Sequence, residues 1–507
     1  MLQPSILIIG AGPTGLVLAL WLTHLGIKVR IIDKTSEPGT TSRALGVQAR
    51  TLELYQQIGL DLPVLDRGYR VEAGNLWLGG VIKGRLRLGD IGHGLSPFPF
   101  LLIYPQDEHE RLLIQWLNER GVSVERQTEL TAFTDDGTQV TATLRKPDGS
   151  SETCAASYIA GCDGARSFVR HASGIGFPGG TYEQLFYVAD VEASGPPMNG
   201  ELNIDLSATD FIAVFPLKDA NRARLIGTVR DERARLGCDL TFEDISGQSM
   251  QDFKIQVSRV NWFSTYHVHH RVAQSFKKGR AFLLGDAAHV HSPAGGQGMN
   301  TGIGDAINLA WKLAAVLNGE ASEALLDSYE PERIAFARRL VATTDQVFTA
   351  ASSPSMFARV LRTWVIPWLM PVMFALAPVR RFGFRTISQT VVNYRGSQVS
   401  TGKAGKLYGG DRLPWIRLDS GKNNFSPLTS LCWQVHIYGE AKPEYAAACG
   451  AKGLELNCFP WRQDFATAGV MRDAAYLVRP DGYIGLADSE ASPQTLTQYL
   501  QALKISL

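Results

Sequence analysis

The hydrophobic pattern changes period twice before residue 33. Ile6-Leu7-Ile8-Ile9 is an unbroken, β-branched run of the kind that a buried strand carries. After Gly10, Gly12 and Gly15 the apolar positions continue through 16–25 at helical length, and Gly26 stops them. Val29-Arg30-Ile31-Ile32 is a second buried strand and ends at Asp33. The chain opens on strand, glycine turn, helix, strand.

Beyond a Pro/Gly/Ser/Thr-rich loop at 34–41, residues 43–54 read as a helical entry. Residues 69–94 alternate polar and apolar positions with many glycines, as in a β-ribbon. The pattern then predicts a helix at 107–121 with acids in its first turn, a strand at 122–125, and hairpin-like segments through Leu144 and the Pro147-Asp148-Gly149 turn. Within 156–170 an apolar strand meets Asp163-Gly164, and a helix carrying Arg166 and Arg170 follows. From 174 to 275 the period is two, with strands at 186–192, 202–206, 211–216 and 223–230 and a helical portion at 241–257. This predicts a second, largely antiparallel sheet as the wall of a cavity. Its inward side chains stay open, because a one-residue register shift exchanges the two faces.

A further buried strand at 281–284 leads to a helix at 299–317, on which Ile303, Ala306, Ile307, Ala310, Trp311 and Ala314 share a face. Residues 325–349 are helical, with a kink or start at 329–333. The apolar stretch 357–377 is interrupted by Pro367 and Pro371, carries Arg359 and Arg362, and is short for a membrane span. It predicts a buried or interface helix pair; peripheral membrane docking by its Trp and Met residues is the other reading. A stretch rich in Gly, Ser and Lys at 396–410 reads as a linker. The remainder runs β–α–β–β–α, with strands at 432–438, 453–456, 475–478 and 483–486, helices at 444–449 and 493–503, and Pro480-Asp481-Gly482 as a hairpin turn.

Composition narrows the function classes. The chain has 507 residues, 45% hydrophobic and 20% charged, enough for two or three ordinary globular domains. A net charge of +1 gives no global field for nucleic acid or an anionic membrane. Six cysteines lie without C-x-x-C spacing, the pattern of reduced core thiols in a cytoplasmic protein rather than a disulfide frame or a zinc site. His267, His269, His270, His289 and His291 have no accompanying carboxylate or cysteine pattern, so no metal site is expected.

Chemistry enters with the glycines. Gly10, Gly12 and Gly15 have G-x-G-x-x-G spacing: one for the tight turn, one for close approach of a pyrophosphate, one for helix packing. The helix N-terminus presents unpaired N–H groups to the phosphates, and Asp33 stands where a carboxylate takes a ribose hydroxyl. This is a dinucleotide site. At 279–300 a buried strand ends in Gly285-Asp286, and Pro293 with Ala294-Gly295-Gly296-Gln297-Gly298 opens a helix. Asp286 can bond a polyol chain, and the loop sets N–H groups against the electron-rich edge of a reduced flavin. Asp163-Gly164 by itself is ordinarily a helix cap and turn.

GAGPTG, then Gly161-Cys162-Asp163-Gly164-Ala165-Arg166-Ser167, then Gly285-Asp286-Ala287-Ala288-His289 together resemble the single-component FAD-dependent aromatic hydroxylases of the p-hydroxybenzoate and phenol hydroxylase fold family. The likeness runs from residue 1 to about 400, and the C-terminal piece resembles the thioredoxin-like appendage of phenol-hydroxylase-type members, without C-x-x-C. It implies an α/β fold: a Rossmann-like FAD-binding domain (1–173 and 276–345, with a β-insertion at 69–100), a mixed or antiparallel substrate sheet (174–275), a helical segment (346–395) and a thioredoxin-like domain (396–507). It implies FAD, with NADPH or NADH and O2 as co-substrates, and hydroxylation of a phenolic or polycyclic aromatic small molecule through a C4a-hydroperoxyflavin. No second G-x-G-x-x-G is present for the nicotinamide, as in that family.

Carried over residue by residue, the likeness assigns FAD contacts to Gly10, Gly12, Pro13, Thr14, Gly15, Asp33, Lys34, Arg43, Gln106, Asp163, Gly285, Asp286, Pro293, Gly296, Gly298, Met299 and Asn300. Pro293 falls near the site of oxygen reaction. Tyr104 and His267 are the first candidates for assisting substrate deprotonation, with Tyr187, Tyr266 and His269 behind them. Baeyer–Villiger or epoxidising chemistry on the same fold, an FAD reductase and a non-catalytic flavin scaffold are the alternatives. A halogenase is disfavoured by the absence of W-x-W-x-I-P. No integral span is expected, and a homodimer is open.

Overall fold

The computed structural model describes residues 4–39, 44–205, 211–219, 221–229, 240–244, 250–251, 253–292, 296–352, 365–418 and 421–506. Ile6–Ile9 lies inside a six-stranded sheet ordered Lys277–Lys278, Ala281–Leu283, Tyr158–Gly161, Ile6–Ile9, Val29–Ile32, Val124–Glu125. Every pairing in it is parallel except the Lys277–Lys278 edge. Residues of Ile6–Ile9 are all buried, as a continuous apolar run in a doubly covered parallel sheet requires. The Pro13–His24 helix is apolar on all sides because it is sandwiched between that sheet and the Gly298–Leu317 and Gln106–Asn118 helices.

The second layer is an eight-stranded sheet ordered His289–Val290, Gln256–Val272, Gly179–Ser194, Arg222–Thr228, Ile212–Pro216, Leu202–Asp205, Ala73–Leu78, Val81–Arg87. Its last two strands come from the 69–100 insertion, through parallel pairing of Leu202 with Gly74. Its longest strand, Gln256–Val272, begins inside the stretch expected to be helical. Of 241–257, residues 242–244 and 250–251 are helical, and 245–249 and 252 lie outside the described residues. Pairing along Gly179–Ser194 draws 256–257 into the sheet.

Three other expectations are corrected. The entry at 43–54 is a short strand, Gly46–Val47, held by Leu101–Ile103, and the helix is Ala49–Gln56. The helix after Asp163 is only Phe168–Ala172, because Ser167 caps it at its N-terminus, so Arg166 precedes it. The supposed linker at 396–410 carries Thr401–Ala404 and Leu407–Tyr408, strands of a third sheet. Thr401–Ala404 pairs in parallel with Ile484–Asp488, a partner too distant in sequence for composition to reveal.

That third sheet runs Leu407–Tyr408, Thr401–Ala404, Ile484–Asp488, Ala475–Val478, Gln434–Tyr438, Glu455–Phe459. It packs on the outer side of the Gly298–Leu317 helix, where Trp311, Ala315 and Leu325 join one apolar cluster with Trp433, Val435 and Leu477. Residues 353–364 lie outside the described residues. Beyond them the stretch expected as a buried or interface helix pair shows one helix, Ile366–Ala375, and the next, Ala377–Ile387, begins only where the stretch ends; the first is not buried, Trp368 and Val372 each being 64% exposed.

A buried charge cluster joins the C-terminal sheet to the N-terminal half. Glu332 accepts bonds from Lys312 Nζ at 2.8 Å, Arg479 Nη1 at 2.8 Å, Asn308 Nδ2 at 2.6 Å and Ser397 Oγ at 2.7 Å. Arg479 also grips Asp481, and Asp481 accepts from Trp311 Nε1 at 3.1 Å. Burial alone would raise the Glu332 pKa, but Arg479 and Lys312 outweigh it and hold the carboxyl far below its ordinary range. Glu332→Ala leaves the buried Lys312 without a carboxylate and Arg479 with Asp481 alone, and should cost about 3–5 kcal/mol in urea unfolding. An unchanged midpoint would refute that weight.

His109 is a second pH-sensitive element. Burial lowers its pKa from 6.5 to about 3, so it is neutral in the fold and accepts or donates one bond with Tyr55. The unfolded chain takes up the proton below about pH 6.5, so this contribution to stability is complete above that pH and is lost progressively toward pH 3. From pH 7 to pH 5 the loss is about 2 kcal/mol for this residue. Unfolding curves of His109→Gln should show a correspondingly flatter pH dependence.

Candidate functional site

Parallel strands Ile6–Ile9, Tyr158–Gly161 and Ala281–Leu283 end on the same edge, so Gly10, Cys162-Asp163 and Gly285-Asp286 converge there. Sheets of this kind place ligands at that edge. The convergence is close. Gly10 has φ +101°, and a Cβ on it would clash with the Cys162 carbonyl oxygen; one on Gly15 would clash with the Gly10 carbonyl oxygen. Thr14 fills the gap to the third motif: a Cβ on Gly285 would lie 2.6 Å from its Oγ1, and Gly302 is tighter still.

Gly12 is different. A methyl group there would meet no protein atom within 4 Å, and the same is true of Gly296. Backbone at the Pro13–His24 N-terminus and backbone before the Gly298–Leu317 helix both border open space, a cradle lined by N–H groups.

Asp33 closes one end of the cradle. Its Oδ2 accepts from Ala11 N at 2.7 Å and its Oδ1 from Thr35 N at 2.8 Å. Arg126, which sequence reading passed over, stands 3.9 Å from Asp33 and donates to Thr35 Oγ1 at 3.2 Å, and its Nη2 is buried without a partner. Arg126 follows the Val124–Glu125 strand, which pairs with Val29–Ile32; only that long-range pairing reveals it. Lys34 is exposed beside Asp33.

Asp163 is both things its motif allows. Its Oδ2 accepts from Phe168 N at 2.7 Å and Val169 N at 3.1 Å, an ordinary helix cap, while Oδ1 is buried and unpartnered. Burial raises its pKa despite those bonds. Asp286 is exposed in the Gly285–Ala287 turn. Behind it Asp305, fully buried, accepts from Gly285 N at 3.0 Å and Arg333 Nε at 2.6 Å and pairs with His289 Nε2 at 2.7 Å. Arg170 bonds the Ala287 carbonyl at 2.9 Å and so ties the second motif to the third.

Several expected contacts resolve differently. The Asn300 side chain is spent inside the protein: Oδ1 accepts from Gln48 N and Thr51 Oγ1, and Nδ2 donates to the Gly46 and Gly296 carbonyls. What it offers a cofactor is its backbone N–H. Gln106 accepts from Ala44 N at 3.3 Å and donates to Glu110 at 2.8 Å, while Glu110 takes Gly39 N; the pair thus holds Gly39 and Ala44 to the Gln106–Asn118 helix. Met299 is half-buried against the core and Gly298 lies 3.6 Å from His291 Nε2 when given a Cβ. Arg43 and Pro293 lie outside the described residues.

The eight-stranded sheet supplies the facing wall. Phe186 pairs with Tyr266, Val188 with Ser264 and Asp190 with Trp262, so these share one face. On it the fully buried Arg224 makes a bidentate pair with Asp190 (2.5 and 2.6 Å) and reaches the Ala44 carbonyl at 3.4 Å. That face therefore leans on the segment whose Gly46 carbonyl is bonded by Asn300. Tyr187 is on the opposite face, in an apolar cluster with Trp77 and Phe253.

Two candidate residues are set aside, one by the alternation and one by its own burial and hydrogen bond. His267 pairs with Leu185 on the outer face and is exposed, turned away from the wall. Tyr104 is buried, donates its hydroxyl to the Glu108 carbonyl at 3.0 Å, and burial pushes its pKa up to about 12, so it is no proton acceptor at neutral pH. Tyr266 remains, on the inner face with its ring 6.0 Å from Phe186.

The family model described as FAD binding domain matches residues 3–344. The 6-methylpretetramide 4-monooxygenase of Streptomyces rimosus is 32% identical over 538 aligned positions, covering 99% of this chain and 94% of that protein. Among solved structures, the OxyS anhydrotetracycline hydroxylase from Streptomyces rimosus superposes with a TM-score of 0.78 at 29% identity, covering 99% of both chains. PyrE3, a Diels–Alderase of pyrroindomycin biosynthesis, superposes at 0.76 with 25% identity, covering 99% of this chain and all of that one (100%). The chain belongs to the FAD binding domain family, as a flavin-dependent aromatic monooxygenase. FAD is its cofactor, with NAD(P)H and O2 as co-substrates.

The residues present fit that cofactor: open N–H cradles at Gly12 and Gly296, and the orphaned Asp163 Oδ1 and Arg126 Nη2. Gly12→Ala should leave the thermal midpoint of the FAD-free protein unchanged, since its methyl touches no protein atom within 4 Å. It should weaken FAD binding by about 5- to 150-fold, the overpacking cost of one methyl against the cofactor. Equilibrium titration checks this; wild-type affinity would show that Gly12 does not face the pyrophosphate.

Proposed function

We propose that this chain hydroxylates a phenolic, polycyclic aromatic substrate held between the Gly296–Asn300 backbone and the Phe186–Tyr266 wall. The observation that carries this reading is the open space bordered by Gly12 and Gly296 where the three motifs and the sheet meet. The tetracycline-type substrates named for relatives favour the polycyclic choice. When bound, FAD takes a hydride from NAD(P)H and activates O2 for insertion into the ring.

The protein's part is position and charge. The Gly12–Gly15 turn and the helix N-terminus hold the pyrophosphate, and Asp33 with Arg126 brackets the ribose. Asp163 Oδ1 and Asp286 accept from the cofactor's hydroxyls. Backbone N–H groups at 298–300, backed by the Gly298–Leu317 helix dipole, stabilise negative charge on the reduced cofactor. Asp190 neutralises Arg224 in the wall, so the substrate side is largely apolar, with Thr228, Ser264 and Tyr266 among its polar side chains, and Tyr266 orients the substrate phenol and shares its proton. Arg43, Pro293 and Gly295 belong to the same site by their motif positions. The C-terminal sheet is read as a thioredoxin-like support, and the unpaired thiols of Cys154, Cys162 and Cys449 are in keeping with a reducing cytoplasm.

The test is anaerobic reduction by NADPH and by NADH with a panel of phenols and fused-ring aromatics, followed by mixing with labelled O2. Faster reduction with substrate and one labelled oxygen atom in the product per NAD(P)H support the reading. Quantitative peroxide release with no oxygenated product from any member would overturn it, and a rearranged carbon skeleton without NAD(P)H consumption would favour PyrE3-type cycloaddition. Tyr266→Phe should lower kcat/KM by about 100-fold or more, whereas Tyr187→Phe, on the outer face, should leave it unchanged.

A further inference from the structure

The Ile366–Ala375 helix is apolar all round and leaves one side uncovered. Val365, Trp368, Leu369, Val372, Met373 and Leu376 follow one another at three- and four-residue spacing, the stripe that a globular helix turns toward its core. Here every one of them is exposed, from 37% at Val365 to 64% at Trp368 and Val372. The opposite side is the packed one, with Phe374 set against Gly383 of the following helix. The stripe does not stand alone. The helix packs beside the Val81–Arg87 strand, whose tip adds Val81 at 54% and Ile82 at 45%, and the next helix adds Phe382 at 70%. Exposed apolar surface concentrated in this way marks an interaction site.

The charges around it are mostly basic, with Glu201 paired to Arg85 on the strand and Asp411 near Arg385 as the acids facing it. Residues 365–410 contain no Asp or Glu, and neither does 73–87. Arg381 and Arg385 are exposed on the Ala377–Ile387 helix, and Lys83 and Arg87 on the strand. The overall charge of +1 conceals this local excess. Among the described residues no helix is long and apolar enough to cross a membrane, and a helix of ten residues spans only about 15 Å.

We propose that this face docks the enzyme on an anionic lipid bilayer, the Ile366–Ala375 helix lying in the interface with its stripe among the acyl chains and the arginines and lysines at the headgroups. An apolar stripe with a tryptophan, rimmed by cations, is the composition of such interfacial helices. A second copy of this chain is disfavoured because two predominantly basic rims would repel. A nucleic acid would meet the cations but not the stripe. The proposal is independent of the chemistry at the flavin site, and it would set the enzyme where apolar aromatic substrates dissolve.

The experiment is flotation of the FAD-loaded enzyme with vesicles of phosphatidylcholine alone or with about a third phosphatidylglycerol, at about 0.1 M and 0.5 M salt. The enzyme should float with the anionic vesicles, less at high salt, and little with phosphatidylcholine alone. Trp368→Ser with Val372→Ser should cut the partition coefficient at least about tenfold. Arg381→Glu with Arg385→Glu should remove the dependence on phosphatidylglycerol. Both should keep the flavin spectrum and circular dichroism of the parent, since these side chains point outward. Absence of flotation, or equal flotation of the Trp368→Ser/Val372→Ser variant, would overturn the proposal. So would a lipid-free dimer abolished by that variant without any flotation, which would assign the stripe to a second copy.

Discussion

Everything at the cofactor edge depends on three chain segments coming closer than side chains permit. Gly10 touches the Cys162 carbonyl, Gly15 touches the Gly10 carbonyl, and Gly285 and Gly302 close on Thr14. A Cβ on Gly10 or Gly15 would meet backbone, and one on Gly285 or Gly302 would meet the Thr14 side chain. The glycines thus fix the distance between the strand ends, and the strand ends fix where Asp33, Asp163 and Asp286 stand. Attractive contacts are secondary here. The geometry is set by exclusion, and the open space beside Gly12 and Gly296 is what remains when the close approaches are satisfied.

The helix that carries the third motif is braced from behind. Its N-terminal turn is gripped by Gln389, which donates to Gln297 O at 3.2 Å and Thr301 Oγ1 at 2.9 Å, and by Arg333, which donates to Thr301 O at 3.0 Å. Its C-terminal half is clamped by the Lys312–Glu332–Arg479–Asp481 cluster. Arg50 adds a bond of 2.5 Å to the Asp481 carbonyl. The C-terminal sheet therefore braces from behind the helix that carries the third motif. A buried ion cluster is a weak source of net stability, but it is demanding about geometry, which suits a support for a positioned helix.

Much of this was legible in the chain. The strand–turn–helix pattern at 6–33, the third motif with its helix, and the order of the last hundred residues, apart from the short Gln463–Thr467 helix that the β–α–β–β–α reading lacked, follow from periods of two and of helical length joined to glycine spacing. What escaped has a common physical cause: long-range pairing. Arg126 becomes part of the site only because Val124–Glu125 pairs with Val29–Ile32. Thr401–Ala404 looked like a linker because its partner is Ile484–Asp488. His267 and Tyr266 are neighbours in sequence, and only the register with Leu185 and Phe186 puts one outside and the other inside. Local pattern names elements well; it does not choose faces.

The strand order also governs how the chain emerges during synthesis. Ile6–Ile9 is flanked by Tyr158–Gly161, which waits for Ala281–Leu283, and Ala73–Leu78 waits for Leu202–Asp205. At ribosomal rates of roughly 5–20 residues per second, the apolar first strand spends about 15–55 s before its sheet can close. Until then the first strand and helix have only Val29–Ile32 and the Gln106–Asn118 helix to pack against, and parallel pairing at such separation is slow. Part of the apolar surface of the first layer thus stays uncovered until the second half of the fold arrives.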